Sequence, residues 1–198
     1  MTFRNLQKLP SAALAAALAL GGIAITGCTT TTKPAENAMA PAPRKALDEK
    51  VQETLARLYE NAPGSREMVQ KANGVLVFPS VIGGSFGIGA EYGRGALLLD
   101  GRTQDYFSTT AGSIGFQAGG QSKAVIYIFN SREALDKFRN SRGWTVGVDA
   151  NVTVATVGAN ASVDNHTIQQ PVMGYVLTNI GLEAGASVQG AKISRIEP

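Results

Sequence analysis

The chain has 198 residues, with 18 Lys+Arg against 15 Asp+Glu, one His and one Cys. A lone His and a lone Cys cannot furnish a His/Cys-rich zinc site or a disulfide. A formal net charge of +3 falls far short of the clustered basic surface that a nucleic-acid binder needs.

At the N-terminus, Arg4 and Lys8 precede an Ala/Leu-rich stretch over residues 11–20, and small residues lead into Ile25-Thr26-Gly27-Cys28. This pattern reads as a signal peptide over residues 1–27, because it is too short and too Gly-broken for a comfortable bilayer span. The tetrapeptide resembles the lipobox of bacterial lipoproteins. That resemblance implies cleavage before Cys28 and acylation of Cys28 by palmitate-type chains. With Thr29 in place of Asp, it also implies sorting to the outer membrane of a Gram-negative cell. Each buried methylene contributes about 0.8 kcal/mol, so two or three chains hold essentially permanently. The bland alternative is that Cys28 merely ends an ordinary secretory signal. Removing Arg4 and Lys8 leaves 16 Lys+Arg against 15 acids, a net charge of +1.

Residues 28–43 form a tether: four consecutive Thr, then Pro34, Pro41 and Pro43 with no apolar period, a composition that stays extended. From residue 44 to 62, Leu47, Val51, Leu55, Leu58 and Ala62 recur at helical spacing. The other face sets Arg44, Lys45, Lys50 and Arg57 against Asp48, Glu49, Glu53 and Glu60, so this helix is neutral and is expected to pack on the core. A short second helix is expected from Ser65, as N-cap, through Met68, Val69 and Ala72.

From Gly74 the period becomes two. The run Val75-Leu76-Val77-Phe78-Pro79 reads as a strand covered on both faces that Pro79 closes or places at an edge. Residues 124–129 read as a second such strand. Asn130 with Glu133 suggests a capping box ahead of a short helix over 131–140, whose buried side is Ala134, Leu135 and Phe138. Residues 144–154 alternate Trp144, Val146, Val148, Ala150, Val152 and Val154 with largely polar partners, the cleanest amphipathic, hence antiparallel, strand in the sequence.

Segments 84–92, 112–119 and 181–189 share one apolar face and one face nearly stripped of side chains by glycine. Each strand glycine costs roughly 0.5–1 kcal/mol. Such a pattern points to strong curvature and to close approach of another backbone, or to a shallow groove for an acyl chain.

The blocks Lys71-Ala72-Asn73-Gly74-Val75-Leu76-Val77-Phe78-Pro79, Tyr92-Gly93-Arg94-Gly95 and Gly112-Ser113-Ile114-Gly115-Phe116-Gln117-Ala118-Gly119 resemble successive blocks of the SYLF domain family. The closing block, residues 181–190, resembles its most recognisable signature. The resemblance spans residues 44–198. Eukaryotic members bind phosphoinositide-containing membranes, some fungal ones bind actin, and bacterial members are commonly exported and described as lipid-binding. It implies a lipid or membrane surface as partner. From the strand pattern, an apolar groove lined by Phe86, Ile88, Phe116 and Leu182 is the expected lipid contact, with Lys71, Arg94 and Lys123 as basic surface candidates.

An enzyme is the competing class. Gly83-Gly84-Ser85-Phe86-Gly87 matches the nucleophile-elbow pattern, and Ser85, Asp149 or Asp164, then His166 fall in hydrolase order. The elbow needs a helix directly after the Ser to supply an oxyanion-hole amide, whereas residues 88–93 read as continuing strand. No catalytic residue, metal or cofactor is expected. The expectation is an α+β domain: N-terminal helices on a Gly-rich, mainly antiparallel sheet, sandwich- or barrel-like, with one short inserted helix. It belongs to an outer-membrane lipoprotein facing periplasm or cell surface that binds lipid without chemistry. The alternative is a structural or partner-binding envelope protein, with actin-like contact less favoured.

Overall fold

The computed structural model describes residues 44–115, 121–155, 170–183 and 187–197, with the backbone alone at 85–88, 113–115 and 121. The expected tether and Cys28 lie outside the described residues. Helix α1 (Arg44–Asn61) buries Leu47, Val51, Leu55 and Leu58, the apolar stripe of the sequence. Helix α2 (Ser65–Lys71) follows Gly64, whose φ of 85° makes the reversal. Ser65 is not the N-cap. It is the first helical residue, fully buried, and its hydroxyl donates at 3.3 Å to the Leu58 carbonyl, which also accepts from the Ala62 N–H at 2.8 Å.

Strand β1 (Gly74–Leu99) runs 26 residues, straight past the proline expected to close it. Its first arm pairs with β3 (Gln121–Phe129), with Phe78 opposite Val125 and then Val81 opposite Lys123. Pro79 and Ser80 therefore face Ala124 alone. Pro79, which has no N–H to offer, sits in a bulge where the ladder is already interrupted. The extra residue also inverts the pleat: Val75 and Val77 share a face with Ala96 and Leu98, although the first pair is odd-numbered and the second even.

The second arm of β1 pairs with β2 (Arg102–Gly115) through a two-residue turn, in which Asp100 (φ 49°) and Gly101 (φ 75°) both take the left-handed conformation that suits a tight hairpin. Here glycine has a specific job. A Cβ on Gly93 would meet the Ser80 carbonyl at 2.9 Å, and one on Gly95 would run into the Val77 carbonyl oxygen. The first arm thus crosses directly over the second, and the long strand curls back upon itself. The backbone-approach reading of the glycine pattern holds at these two positions.

Helix α3 (Arg132–Asn140) is capped by Ser131, whose hydroxyl accepts from the Ala134 N–H at 3.4 Å. Asn130, expected in that role, instead donates its side-chain amide to the Gln170 carbonyl and its backbone N–H to Pro171, each at 3.0 Å, and Glu133 pairs with Lys137.

The long strand expected over 144–154 is two short ones, β4 (Trp144–Thr145) and β5 (Thr153–Val154). Between them the Val148 and Asp149 N–H groups donate to the Thr145 carbonyl, the Asp149 carboxylate accepts from the Thr145 N–H at 2.6 Å, and Gly147 takes φ 87°. An Asp that bonds its own turn, with a permissive glycine, overrides the alternating pattern. Val148, counted as inward-facing, is 80% exposed.

The remaining strands are β6 (Val172–Thr178), β7 (Gly181–Leu182) and β8 (Lys192–Ile196). Among the described residues of the expected 181–189 strand, Gly181 and Leu182 pair in the sheet. Glu183 still donates its N–H to Val176, and Gly190 closes a turn at φ 77°.

The sheet runs β4-β8-β2-β1-β3-β6-β5, with β7 on β6, and is antiparallel except where β5 joins β6. It is an α+β, half-barrel arrangement with apolar cover on both faces. One face packs Phe78, Leu97, Tyr127 and Phe129 against Leu135 and Phe138 of α3 and against Trp144. The other packs Val77, Ile126, Met173 and Tyr175 against Val51, Leu55 and Leu58 of α1. The uninterrupted apolar runs of β3 and β6 follow from this double burial.

Two outcomes test this architecture. Gly95→Ala should cost about 1–3 kcal/mol by overpacking against backbone, whereas Gly112→Ala, with nothing within 4 Å of the added methyl, should be neutral in urea denaturation. Burial pushes the Tyr175 hydroxyl up to about 12 from its ordinary 10.0, and that hydroxyl donates to the Met68 sulfur at 3.4 Å. Its contribution is therefore fully present below pH of about 10 and lost as pH rises toward 12. Tyr175→Phe should reduce the loss of stability across that window, read from melting temperature against pH.

Candidate lipid-binding site

Among the described residues, two of the concavities flank the sheet. The larger, about 430 Å³, lies between α1, α2 and the turn that ends β1. Leu55, Val69 and Leu98 form its apolar lining and Gln52, Gln70 and Asp100 its polar lining. Tyr59 stands beside them with the Arg66 guanidinium 4.3 Å from its ring centre. Burial raises the Tyr59 hydroxyl above its ordinary value, and the Arg66 charge opposes that in part. The cleft exists because α2, only 7 residues long, turns away at Ala72 and leaves the flank of α1 uncovered.

The smaller concavity, about 250 Å³, opens on the α3 side of the sheet beyond the β1 bulge. Across it Lys123 and Glu91 pair at 3.0 Å, each side chain 22% exposed, above Val125 and Tyr127. Burial, and secondarily the Glu91 charge, drive the Tyr127 hydroxyl well above the ordinary tyrosine range, so it stays protonated.

The basic candidates do not form one patch. Lys71 pairs with Glu67 at 2.6 Å on exposed α2, and that pairing holds the Glu67 carboxyl below its ordinary value. Lys123 is committed to Glu91. Of the three, Arg94 differs: its Nε and Nη1 are buried with no acceptor among the described residues.

Of the tentative lipid contacts, Phe116 and the side chains of Phe86 and Ile88 lie outside the described residues. The backbone sets Ile88 opposite Ile114. Leu182 sits elsewhere, on β7 opposite Leu177, packed against the α1-side core and lining neither concavity. At Ser85 the strand continues to Leu99 with no helix after it. Asp149 is occupied in its turn, and Asp164 and His166 lie outside the described residues.

Sequence reasoning missed the larger cleft. Gln52 and Gln70 flank the apolar stripes of their helices, and nothing in either helix alone says that the angle between them leaves a gap. The Glu91–Lys123 pair was equally hidden, because it depends on the register beyond the Pro79 bulge.

Neutralising Glu91 strands a mostly buried ammonium. Glu91→Gln should therefore lower stability by about 1–3 kcal/mol, and adding Lys123→Met should recover most of that, measured by urea denaturation of both variants.

No curated protein matches this chain. Residues 110–197 match the family model Ysc84, described as Las17-binding protein actin regulator. The match begins in β2 and runs to the residue after β8, through the Gly-rich closing block. Over residues 110–197 this chain is similar to the Ysc84 (SYLF) family model, consistent with the family that its sequence blocks resemble.

Proposed function

We propose that this is an outer-membrane lipoprotein, anchored through acyl chains on Cys28, whose domain binds membrane lipid and catalyses no reaction. The observation that carries the lipid reading is the cleft of about 430 Å³ between α1 and α2. Its size falls within the usual range for small-molecule sites, and an apolar base under a few amide and carboxylate groups suits an amphiphile. The neutral outer face of α1 argues for apolar insertion over electrostatic attraction, since each Lys or Arg near an anionic surface adds only about 1 kcal/mol. A second reading, a docking module for a protein partner, is favoured by the description of the matched family as a Las17-binding actin regulator.

Native mass spectrometry of protein purified from cell membranes distinguishes the two. Lipid should co-purify with the wild-type chain and be lost from Val69→Trp, which fills the cleft without disturbing the sheet. A lipid-free wild type would leave the protein-docking reading. Cys28→Ser should abolish partition into a detergent phase, and unchanged partition would overturn the anchor.

A further inference from the structure

Arg94 lies near the middle of the β1–β2 ribbon, opposite Ser108. Two residues along, Ala96 faces Tyr106, and both belong to the α1-side core, so Arg94 and Ser108 share that face by strand alternation. The residue as a whole is half-buried, yet its Nε and Nη1 are sealed from solvent with no acceptor. Nη2 is the guanidinium nitrogen that is not sealed in.

Among the described residues, Asp48, Glu91 and Asp105 each have partners. Asp48 accepts from the Thr103 hydroxyl at 2.9 Å and from the Tyr106 hydroxyl at 3.1 Å. Glu91 is paired with Lys123 on the opposite face, and Asp105 with Arg195 at 2.7 Å. A second cation lies over Tyr106 on the same face of the hairpin. The Arg44 guanidinium is 5.8 Å from the Tyr106 ring centre, and Tyr106 is about 7 Å along β2 from Ser108. Native interiors rarely leave a guanidinium desolvated and unpaired, because its charge is then neither hydrated nor neutralised. A positive centre in a low-dielectric setting attracts an anion more strongly than the same group in water.

We infer that Arg94 is the seat of a phosphate-class oxyanion, received at its Nη2 end beside the Ser108 hydroxyl, with Arg44 as the outlying second charge. The Nη2 end offers charge-assisted N–H donors to a phosphate oxygen, and a hydroxyl donor beside it suits the same ligand. The source is a phospholipid headgroup or free phosphate. The headgroup version rests on the lipid reading above, whereas the oxyanion seat does not.

The test uses the full chain in neutral detergent. Melting temperature is compared in inorganic phosphate and in chloride of equal ionic strength, for wild type, Arg94→Leu, Arg94→Lys and the exposed control Arg142→Gln. Phosphate at about tenfold its dissociation constant should raise the wild-type and Arg142→Gln midpoints by about 3–6 °C. Arg94→Leu should show no shift, and in chloride it should be at least as stable as wild type, since an unpaired buried charge has gone. Arg94→Lys should show a reduced shift. Should Arg94→Leu not fold, the side-chain Nε–H resonance of Arg94 in wild type should move on adding phosphate. Equal phosphate shifts in wild type and Arg94→Leu, or an Arg94 resonance that does not move, would overturn the inference. Flotation with phosphatidylcholine vesicles, with and without phosphatidic acid, separates the sources. An Arg94-dependent gain with phosphatidic acid assigns a headgroup. A phosphate shift without that gain keeps the seat for free phosphate, and leaves the lipid reading to stand or fall on lipid co-purification.

Discussion

The self-crossing of β1 is the constraint on which the rest of the domain depends. A 26-residue strand cannot remain one straight ribbon in a domain of this size, and it bends where Pro79 and Ser80 form a bulge. The bend brings Val77 and Ser80 onto Gly93 and Gly95, an approach that two missing Cβ atoms make possible. One strand thereby links β3 on one side with β2 on the other and inverts its own pleat between them. Had the pleat continued in step, Ala96 and Leu98 would point away from α1, and Arg94 would leave the face on which it lies.

Double cover of the sheet follows from that curl. Inside it, Trp144 meets Tyr127, Phe129 and Phe138 at ring separations of 5.4–6.1 Å in edge-on or tilted arrangements, tying α3 and β4 to the central strands. Outside it, α1 crosses from the β1–β2 hairpin, where Asp48 receives the Tyr106 hydroxyl, to β6, where the Arg57 guanidinium donates to the Thr178 carbonyl at 2.8 Å. Burial first, and that hydrogen bond with Asp48 next, hold the Tyr106 hydroxyl above its ordinary value. Helix and sheet are thus joined at both ends by polar contacts and between them by a dry seam. The concavities occur where this cover stops: beyond α2 on one side, beyond the bulge on the other.

Elements with a single strong signal were legible in the sequence. The α1 stripe, the apolar run of β3 and the body of α3 each depend on local periodicity, and each folds where that periodicity says. What misled was competition between local signals. Alternation across 144–154 is real, yet Gly147 and the Asp149 carboxylate build a turn through its middle. Pro79 was read as a stop because a central strand has no place for it, but a bulge does. Ser131 outcompeted Asn130 as cap because Asn130 is drawn off to the chain at Gln170 and Pro171. The site was harder to read than the fold. Lys71 has Glu67 one helical turn before it, but only the strand register gives Lys123 its carboxylate and leaves Arg94 without one among the described residues. The hairpin signal Asp100-Gly101 was present and unused.

The ends of the sheet deserve one last consideration. Along its path the terminal strands are β4 and β5, each of two residues, and β7 is no longer. An edge this short offers a neighbouring molecule almost no ladder to extend. At high local concentration, encounters between copies of a domain are frequent. A domain with long open edges would zip into ribbons under such crowding. Short borders among the described strands keep such encounters from turning into sheet pairing.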